Sequence, residues 1–214
     1  FIDGRRNSYF SPVLGEVAGR NAIVHPNKPK DGELSLRLYR NVGSVEAAIY
    51  FYEGHWKSPG GINPANGLAL FPKLRVTGAS VRSSVGKGIG NIEVGYYDSR
   101  DDHKGNNPFV NNSEFRALVG YEQEVARNLT LGTQYDLEHL LDYSNYQNTL
   151  PIDFPQRDQN RHLLTPRLTL LTHNQNITWS LFSYYSPSDM DFYLRPKVNY
   201  KINDRLITEL GGNI

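Results

Sequence analysis

The stretch LTLGTQYDLEHLLDY, from Leu129 to Tyr143, alternates between two kinds of side chain. Its odd positions are mostly apolar, whereas its even positions include three carboxylates, Asp136, Glu138 and Asp142. Because successive side chains of a β-strand point to opposite faces, this pattern predicts a strand with one apolar and one acidic face. The stretch is also much longer than the usual soluble strand of roughly 5–6 residues. We expect such a strand where one face meets an apolar environment and the other meets water.

The composition favours β-structure and excludes several classes of protein. Only 38% of the 214 residues are hydrophobic, Tyr (14) outnumbers Phe (9) and Trp (2), and Gly (19) is plentiful, which is typical of strands joined by turns. The formal net charge of +1 implies no bulk attraction to nucleic acid. Without cysteine, the chain has no disulfide, thiol nucleophile or cysteine-based zinc site. No apolar run approaches the roughly 20 residues of a transmembrane helix, which excludes a helical membrane protein.

The same alternation recurs along the chain and predicts about ten strands within residues 32–214. Tight turns, such as those at Gly43 and Gly86, alternate with long polar loops, such as residues 98–112. Residues 1–31 show little periodicity and are predicted to be loop or irregular. The chain is therefore interpreted as a single β-domain covering its whole length.

One predicted strand departs from clean alternation. Leu74 and Val76 lie at even-numbered positions, whereas Ala79 and Val81 lie at odd-numbered ones. We call this odd or even placement the parity of a residue, because it decides which face of a strand the side chain joins. A β-bulge adds one residue to a strand and so reverses its parity, and glycine is common at such positions. The sequence therefore predicts a bulge near Gly78.

The order of the connections favours an all-β, antiparallel, up-and-down transmembrane β-barrel. When short and long connections alternate in a meander, all tight turns lie at one end and all long loops at the other, as in outer-membrane barrels. Strands of about ten to fifteen residues match the roughly 9–11 residues that cross a bilayer. Aromatic residues gather near the predicted strand ends, as expected for rings at the two membrane interfaces. These rings are Tyr50, Phe51, Tyr52, Trp56, Tyr96, Tyr97, Tyr143, Tyr146, Tyr184, Tyr185, Phe192 and Tyr193.

Several segments combine an aromatic strand end with a following loop rich in Asp and Asn, or restart a strand with Asn-Leu-Thr-Leu-Gly after a turn. They are VGYYDSRDD, LVGYEQEVARNLTLGTQYDLEHLLDY and LTPRLTLLTHNQNITWSLFSYYSPSDMDFYLRPKVNYKINDRL. In these features the chain resembles Gram-negative outer-membrane porin-like proteins over most of residues 68–214. The resemblance implies an integral protein of the bacterial outer membrane. Such barrels usually end on an aromatic residue, whereas this chain ends at Ile214, so we expect a fragment of a larger barrel.

If the apolar parity faces lipid, the polar parity faces a wet lumen. The candidate lumen and selectivity residues are Arg116, Glu122, Gln134, Asp136, Glu138, Asp142, Arg167, Asp191, Arg195 and Lys197. The same parity places Glu33, Arg37, Glu46, Glu93, Glu124 and Thr165 on this face. Opposed charges across a pore tune ion and solute selectivity. The alternative interpretation is that these charges pair between neighbouring strands and stabilise the wall.

The sequence also predicts where the strand that begins at Leu129 leaves the membrane. Leu140 breaks the polar parity and His139 breaks the apolar one, so we expect the strand to leave the membrane at these residues. In a strand, His139 also lies on the opposite face from Asp136, which argues against a catalytic dyad. No catalytic residue, enzymatic activity or cofactor is predicted.

The loop DSRDDHKGNNP contains Asp98, Asp101 and Asp102. Oxygen-rich loops can bind divalent cations, but this spacing matches no EF-hand, so these three residues are only weak metal candidates. A solvated outer loop is the alternative.

The sequence thus predicts a porin or channel that allows passive diffusion of small solutes or ions through a charged, water-filled lumen. Two alternatives stay open: a structural or adhesive barrel with a plugged lumen, and a soluble ligand-binding all-β protein. The expected partners are the lipid bilayer, lipopolysaccharide and small solutes or ions, without nucleic acid, and a homo-oligomer is compatible with the sequence.

Overall fold

The computed structural model describes residues 9–11, 16–18, 32–57, 61–65, 68–152 and 156–214. Its strands are β1 (Tyr9–Ser11), β2 (Glu16–Ala18), β3 (Leu34–Val42), β4 (Val45–His55), β5 (Gly61–Asn63), β6 (Leu68–Leu70), β7 (Lys73–Val85), β8 (Gly88–Ser99), β9 (Glu114–Ala126), β10 (Leu129–Leu140), β11 (Asn160–Leu164), β12 (Arg167–Thr172), β13 (Ile177–Ser186), β14 (Asp191–Asn203) and β15 (Leu206–Gly211). The described part of the chain has one helix, α1 (Tyr143–Thr149), between β10 and β11. Among these residues, no helix has the length and apolar character needed to cross a membrane.

The main sheet is an antiparallel meander in which strands pair in chain order: β3, β4, β7, β8, β9, β10, β11 with β12, β13, β14 and β15. β11 and β12 are two halves of one interrupted strand, because both pair with β10 and β13 and only Thr165 and Pro166 separate them. Since these halves count as one pass, the eleven strands make ten passes. The predicted all-β, antiparallel, up-and-down architecture is confirmed. Within the described residues the edge strands β3 and β15 do not pair with each other, so the sheet is not closed into a barrel.

Tight turns alternate with connections that are mostly long, as predicted. The tight turns lie at one end of the sheet, at residues 43–44, 86–87, 127–128, 173–176 and 204–205. Gly43 and Gly86 have φ values of 61° and 58°, as required at the first position of two-residue hairpin turns that follow the twist of the strands. Asn128 has a φ of 61° at the second position of its turn, which is followed by a register shift between Leu129 and Thr130. The opposite end carries the connections at residues 56–72, 100–113, 141–159 and 187–190.

The three longest connections pack against one another and form a loop cap, which comprises the described residues of 56–72, 100–113 and 141–159. The Ile62 amide donates to the Phe109 carbonyl at 2.9 Å. The Asn145 side-chain amide donates to the Lys104 carbonyl at 2.8 Å. These bonds join segments far apart in the chain, so the cap is a folded structure.

Apolar burial is concentrated beneath this loop cap. Trp56, Val110 and Tyr146 come from the cap itself, while Leu74 and Leu140 lie at the ends of strands under it, and each is at most 8% exposed. β10 ends at Leu140, one of the two residues at which the sequence predicts that the strand leaves the membrane; the membrane exit itself stays a prediction. The hydrophobic core thus sits at one end of the molecule, and the strands extend away from it.

The sheet has two chemically different faces, fixed by the register. Directly opposed residues share a face. The polar face contains Glu46, Ser80, Glu93, Gln134, Ser180 and Lys197, and the apolar face contains Leu36, Ile49, Ile92, Val119, Leu131 and Trp179. On the apolar face, Leu36, Ile49 and Ile92 are 53%, 57% and 55% exposed. The described residues provide no second layer over this face.

The predicted bulge near Gly78 is wrong. Gly78 pairs in regular register with Tyr50 on one side and Gly95 on the other. Leu74 and Val76 lie on the polar face instead, because this end of β7 is under the loop cap, where Leu74 is buried. Glycine is needed for a different reason, since an added Cβ would lie 2.8 Å from the Val94 carbonyl oxygen.

Aromatic residues at the cap end are divided between the two faces. On the apolar face, Phe51, Tyr96 and Phe115 follow one lateral row of the sheet, and Tyr185 opposes Phe192. The other predicted interface rings lie on the polar face, at Tyr50, Tyr52, Tyr97, Tyr184 and Tyr193, or in the loop cap, at Trp56, Tyr143 and Tyr146. Because neighbouring residues of a strand alternate, only one ring of each predicted pair can reach the apolar face.

Residues 9–11 and 16–18 form an antiparallel pair, β1 with β2, within the segment for which the sequence predicted loop or irregular structure. Tyr9, Phe10 and Val17 are residues that favour strands, but the two strands are too short to show a periodic pattern. The rest of residues 1–31 lies outside the described residues.

Gly105 and Gly43 provide a matched test of the loop cap. Both have a positive φ, 63° and 61°, so alanine at either position costs about 1–2 kcal/mol in the left-handed conformation. At Gly105 an added Cβ would also overlap the Asn112 amide, which donates to the Leu141 carbonyl at 3.2 Å, whereas nothing lies within 4 Å at Gly43. We therefore expect Gly105→Ala to lower the free energy of unfolding by about 1–2 kcal/mol more than Gly43→Ala, measured by urea unfolding. Equal losses would contradict the packing described for the cap.

Candidate functional site

The register gathers charged side chains from distant parts of the sequence on the polar face. One lateral row crosses five strands: Glu122 opposes Gly132, Gly132 opposes Arg167, Arg167 opposes Phe182, and Phe182 opposes Arg195. Gly132 leaves room in this row, since a Cβ there would lie 3.1 Å from a carboxylate oxygen of Glu122. Strand alternation thus positions an acidic and two basic side chains over one surface.

A cavity of about 1190 Å³ lies against this polar face. Its charged lining separates by strand. Glu46, Glu93 and Glu122 come from β4, β8 and β9, whereas Arg167, Arg195 and Lys197 come from β12 and β14. Arg82 and Glu209 complete the charged lining. The cavity therefore has a mainly acidic and a mainly basic wall.

Only part of this charge is neutralised by ion pairs. Glu46 accepts from Arg37 at 2.7 Å, and Lys197 donates to Glu209 at 3.2 Å. Within the described part of the chain, five lining side chains make no ion pair, namely Arg82, Glu93, Glu122, Arg167 and Arg195. These groups are free to interact with water, ions or a solute in the cavity.

A second group of charges lies beneath the loop cap and begins at Glu114. This carboxylate is only 2% exposed, and it accepts from Arg116 at 2.7 Å and from Arg157 at 3.1 Å. Arg157 belongs to the loop cap, whereas Glu114 and Arg116 belong to β9. The guanidinium of Arg116 also lies 4.7 Å from the centre of the Tyr97 ring, which itself stacks on Trp56. Two cap residues, Arg157 and Trp56, therefore contact side chains of the polar face.

The same group continues across the sheet from β9 to the turn after β13. Glu138 accepts from Arg116 at 3.1 Å and from Arg161 at 3.2 Å, and Arg161 reaches Asp189 at 2.6 Å. The six residues Arg157, Glu114, Arg116, Glu138, Arg161 and Asp189 thus form a continuous ion-pair chain. Removing one member of a buried pair leaves an uncompensated charge, which is strongly destabilising. The ion-pair chain consequently fixes the cap to the sheet.

The predicted lumen candidates fall into separate places. Glu122, Gln134, Arg167, Arg195 and Lys197 line the cavity. Arg116 and Glu138 lie in the ion-pair chain. For these two residues the alternative interpretation applies, in which the charges pair between neighbouring strands. Asp136 lies on the polar face between these groups, and Asp191 lies at the start of β14, opposite Ser186.

Asp142 is not on the strand wall. The sequence extended the strand parity through it, but β10 ends at Leu140 and Asp142 precedes helix α1 with a φ of 53°. The Leu140 amide still donates to the Gln159 carbonyl and the Leu141 amide to the Ser113 carbonyl, in the registers of β10 with β11 and β9. The left-handed backbone of Asp142 then ends the extended chain and directs it into helix α1.

Four members of the ion-pair chain were missed by the sequence: Glu114, Arg157, Arg161 and Asp189. Glu114 shares the parity of Arg116 two residues later, so a longer strand assignment could have found it. Arg157 follows no periodic pattern, and its role depends on how the loop folds. Arg161 and Asp189 could be assigned only once the register between β10, β11 and β13 was known.

The weak metal candidates have protein partners, either in their own loop or at the start of β7. Asp98 contacts Arg100 and His103, Asp101 accepts from the Lys73 amide, and Asp102 accepts from the amides of Asn106 and Asn107. Among the residues that the structure describes, no group of three or more His, Asp or Glu side chains is arranged to hold a metal ion. These carboxylates organise the loop.

His139 lies on the apolar face, with its Nδ1 2.7 Å from the Asn160 side-chain oxygen. Asp136 opposes Leu118 on the polar face. The predicted separation of His139 from Asp136 is therefore confirmed.

Asp189 is the member of the ion-pair chain that lies outside the strands. Partial burial favours its neutral form, but hydrogen bonds from Ser186 and Arg161 favour the carboxylate and together hold the pKa of Asp189 below its usual value. The Ser186 hydroxyl lies 2.7 Å from the carboxylate. The charged form of Asp189 thus stabilises the turn at residues 187–190.

Replacing Arg157 by Gln should loosen the loop cap while leaving the sheet intact. Glu114 would lose its bond from the cap but keep Arg116, so we expect a loss of about 1–3 kcal/mol. The measurement is cleavage of the purified protein by a protease that cuts after aromatic residues, followed at Tyr143 and Tyr146. Arg127→Gln, in an exposed tight turn, is the control. Equal cleavage of the two variants would show that Arg157 does not hold the cap.

The low pKa of Asp189 predicts a pH dependence of stability. An aspartate has a pKa of about 3.9 when unfolded, so the contribution of Asp189 is fully present above that pH and is lost as the pH falls through the lower folded value. Urea unfolding between about pH 6 and pH 2 should therefore show a smaller acid-induced loss of stability for Asp189→Asn than for the wild type. Asp204→Asn, which removes a fully solvated pair with Lys201, should follow the wild type. If Asp189→Asn also follows the wild type, the stabilising role of this carboxylate is refuted.

Comparisons with protein-family models, curated proteins and solved structures find no match to this chain. Its candidate site is therefore defined by its own geometry. This geometry consists of a charged cavity on the polar face and an ion-pair chain beneath the loop cap.

Proposed function

We propose that this chain forms the wall of a bacterial outer-membrane β-barrel through which small solutes or ions diffuse passively. The observation that carries the proposal is the chemical difference between the two faces of the sheet. The apolar face is exposed along its length, while the polar face borders a charged cavity of about 1190 Å³. A wall between lipid and water gives each face the surroundings that suit it.

The dimensions of the strands support this proposal. β7, β9 and β14 have 13 residues each, and β8 and β10 have 12. A tilted strand needs roughly 9–11 residues to cross a bilayer. The row of Phe51, Tyr96 and Phe115 would then lie at the membrane interface near the loop cap, where amphipathic and aromatic rings are favoured.

The proposal requires that the free edges of β3 and β15 be paired in the membrane. Unpaired backbone N–H and C=O groups in lipid cost several kcal/mol each, so open sheet edges do not occur there. The edges would pair with each other or with further strands of a larger barrel. In this arrangement the tight turns face the periplasm, and the loop cap faces outwards, towards lipopolysaccharide.

A second function is favoured by the loop cap. Trp56 and Arg157 reach the polar face at its cap end, and the cap is held together by hydrogen bonds. Such a cap could close the lumen and leave a structural or adhesive barrel. A soluble ligand-binding protein is less well supported, because large exposed apolar surfaces are rare on soluble monomers.

Conductance separates the channel from the plugged barrel. Purified protein added to planar bilayers should produce discrete conductance steps that are independent of any cofactor. The Arg157→Gln variant, with a loosened cap, should conduct as well as or better than the wild type. Inserted protein without conductance in either variant would favour the plugged barrel.

Two neighbouring substitutions test which face meets lipid. Ile92→Arg places a charge on the apolar face near the middle of β8 and should lower stability in lipid by about 2–4 kcal/mol. Asn91→Arg places the same charge in the cavity and should mainly change ion selectivity. Stability can be measured by reversible urea unfolding in vesicles, and selectivity by reversal potentials. The opposite result, with Asn91→Arg the more destabilising, would overturn the assignment of the faces.

A further inference from the structure

We propose that Arg167, Phe182 and Arg195 form a binding subsite for small organic anions that carry an aromatic ring. The three residues lie directly opposite one another on β12, β13 and β14, and all three line the cavity. The subsite rests on the proposed function, in which solutes pass along the polar face. It names the class of solute that the cavity retains.

The two guanidinium groups of the subsite are available to a ligand. Neither Arg167 nor Arg195 makes an ion pair or a side-chain hydrogen bond with a residue that the structure describes. By contrast, Arg116 and Arg161 are each held by two carboxylates in the ion-pair chain. A guanidinium presents a planar set of donors that matches a carboxylate. The subsite therefore offers two unused anion-binding groups.

The ring between these arginines has its own support. The Phe182 ring lies 6.1 Å from the Tyr193 ring, and Tyr193 stacks on Tyr184 at 5.1 Å. Arg161 donates to the Tyr184 hydroxyl at 2.7 Å, which fixes the cap end of this aromatic row. Aromatic pairs contribute about 0.5–1.5 kcal/mol beyond their buried area. An aromatic solute therefore finds a rigid apolar surface within an otherwise polar wall.

The spacing of the strands suits a ligand with a ring and a carboxylate. Neighbouring strands lie about 4.8 Å apart, so the Cα atoms of Arg167 and Arg195 are about 10 Å apart with Phe182 between them. A ring lying on Phe182 thus has a guanidinium within side-chain reach on either side. The cavity, at about 1190 Å³, is larger than the usual range of about 300–1,000 Å³ for small-molecule sites, so it has room for such a ligand.

The charge around the subsite favours an anion over a cation. Lys197 is adjacent to Arg195 in the polar parity of β14 and adds positive charge, although Glu209 pairs with it. The nearest acidic member of the row, Glu122, is separated from Arg167 by Gly132. A bound carboxylate is therefore repelled from β9 and directed towards β12 and β14.

Equilibrium dialysis with radiolabelled benzoate and detergent-solubilised protein tests the subsite directly. The wild type should bind benzoate more tightly than acetate, and benzylammonium, which has the ring with the opposite charge, should bind least. Equal binding of benzoate and benzylammonium would reduce the subsite to an apolar surface and overturn the proposal.

Variants separate the contributions of charge and ring. Arg167→Gln and Arg195→Gln should each weaken benzoate binding by about tenfold, the effect of removing a charge-assisted hydrogen bond. Phe182→Leu should weaken benzoate binding but leave acetate binding unchanged. Since neither arginine makes an ion pair or a side-chain hydrogen bond with a described residue, both variants should keep the wild-type unfolding midpoint. Arg167→Lys and Arg195→Lys provide folded variants in which charge is retained.

Arg82→Gln is the matched control, because Arg82 lines the same cavity without an ion pair but opposes Glu46 and Asn91 rather than an aromatic ring. It should leave benzoate binding unchanged. A loss equal to that of Arg167→Gln would indicate a general effect of cavity charge and would refute the subsite. Dialysis in micelles requires no passage across a membrane, so retained benzoate binding without conductance would reject the channel alone. Conductance without benzoate binding would reject the subsite alone.

Discussion

The antiparallel register between neighbouring strands is the constraint on which the rest of the structure depends. Opposed residues share a face, and the strands pair in the order in which they occur in the chain. Apart from register shifts beside two turns, at Leu129/Thr130 and Lys201/Asn203, a single parity is therefore carried from β3 to β15 without a crossover. A shift by one residue in any ladder would move charged side chains to the apolar face and apolar ones to the cavity, so both surfaces depend on the same hydrogen bonds.

Much of the fold could be predicted, because alternation and turn residues are local properties of the sequence. The interleaved pattern of Leu129–Leu140 and the turns at Gly43 and Gly86 correspond to observed elements. The error at Gly78 has a physical cause. Leu74 was assumed to share the surroundings of the other apolar residues, whereas the loop cap buries it on the polar face. The position of an apolar residue therefore identifies the apolar face of a strand only where the surroundings of each face stay the same along the strand.

The site was predictable to the same extent. Arg167 and Arg195 have the right parity, and they line the cavity. Arg116 and Glu138 have that parity too, yet they are paired in the ion-pair chain. Sequence parity cannot distinguish a free charge from a neutralised one, because the distinction depends on which residues lie one strand away and on where a loop residue such as Arg157 folds. The loop cap thus divides one charged face into a paired part beneath the cap and a part that lines the cavity.

The sequential pairing of the strands also has a consequence for the order of assembly. Each hairpin closed by a tight turn requires only a short loop to be ordered, so its entropic cost is small, and long connections add to this cost only slowly with length. The hydrogen bonds of the loop cap join residues 62 and 109, and residues 104 and 145. Alignment of β7, β8, β9 and β10 brings these partners within reach of one another. We therefore expect the wall to form hairpin by hairpin before the cap folds onto it.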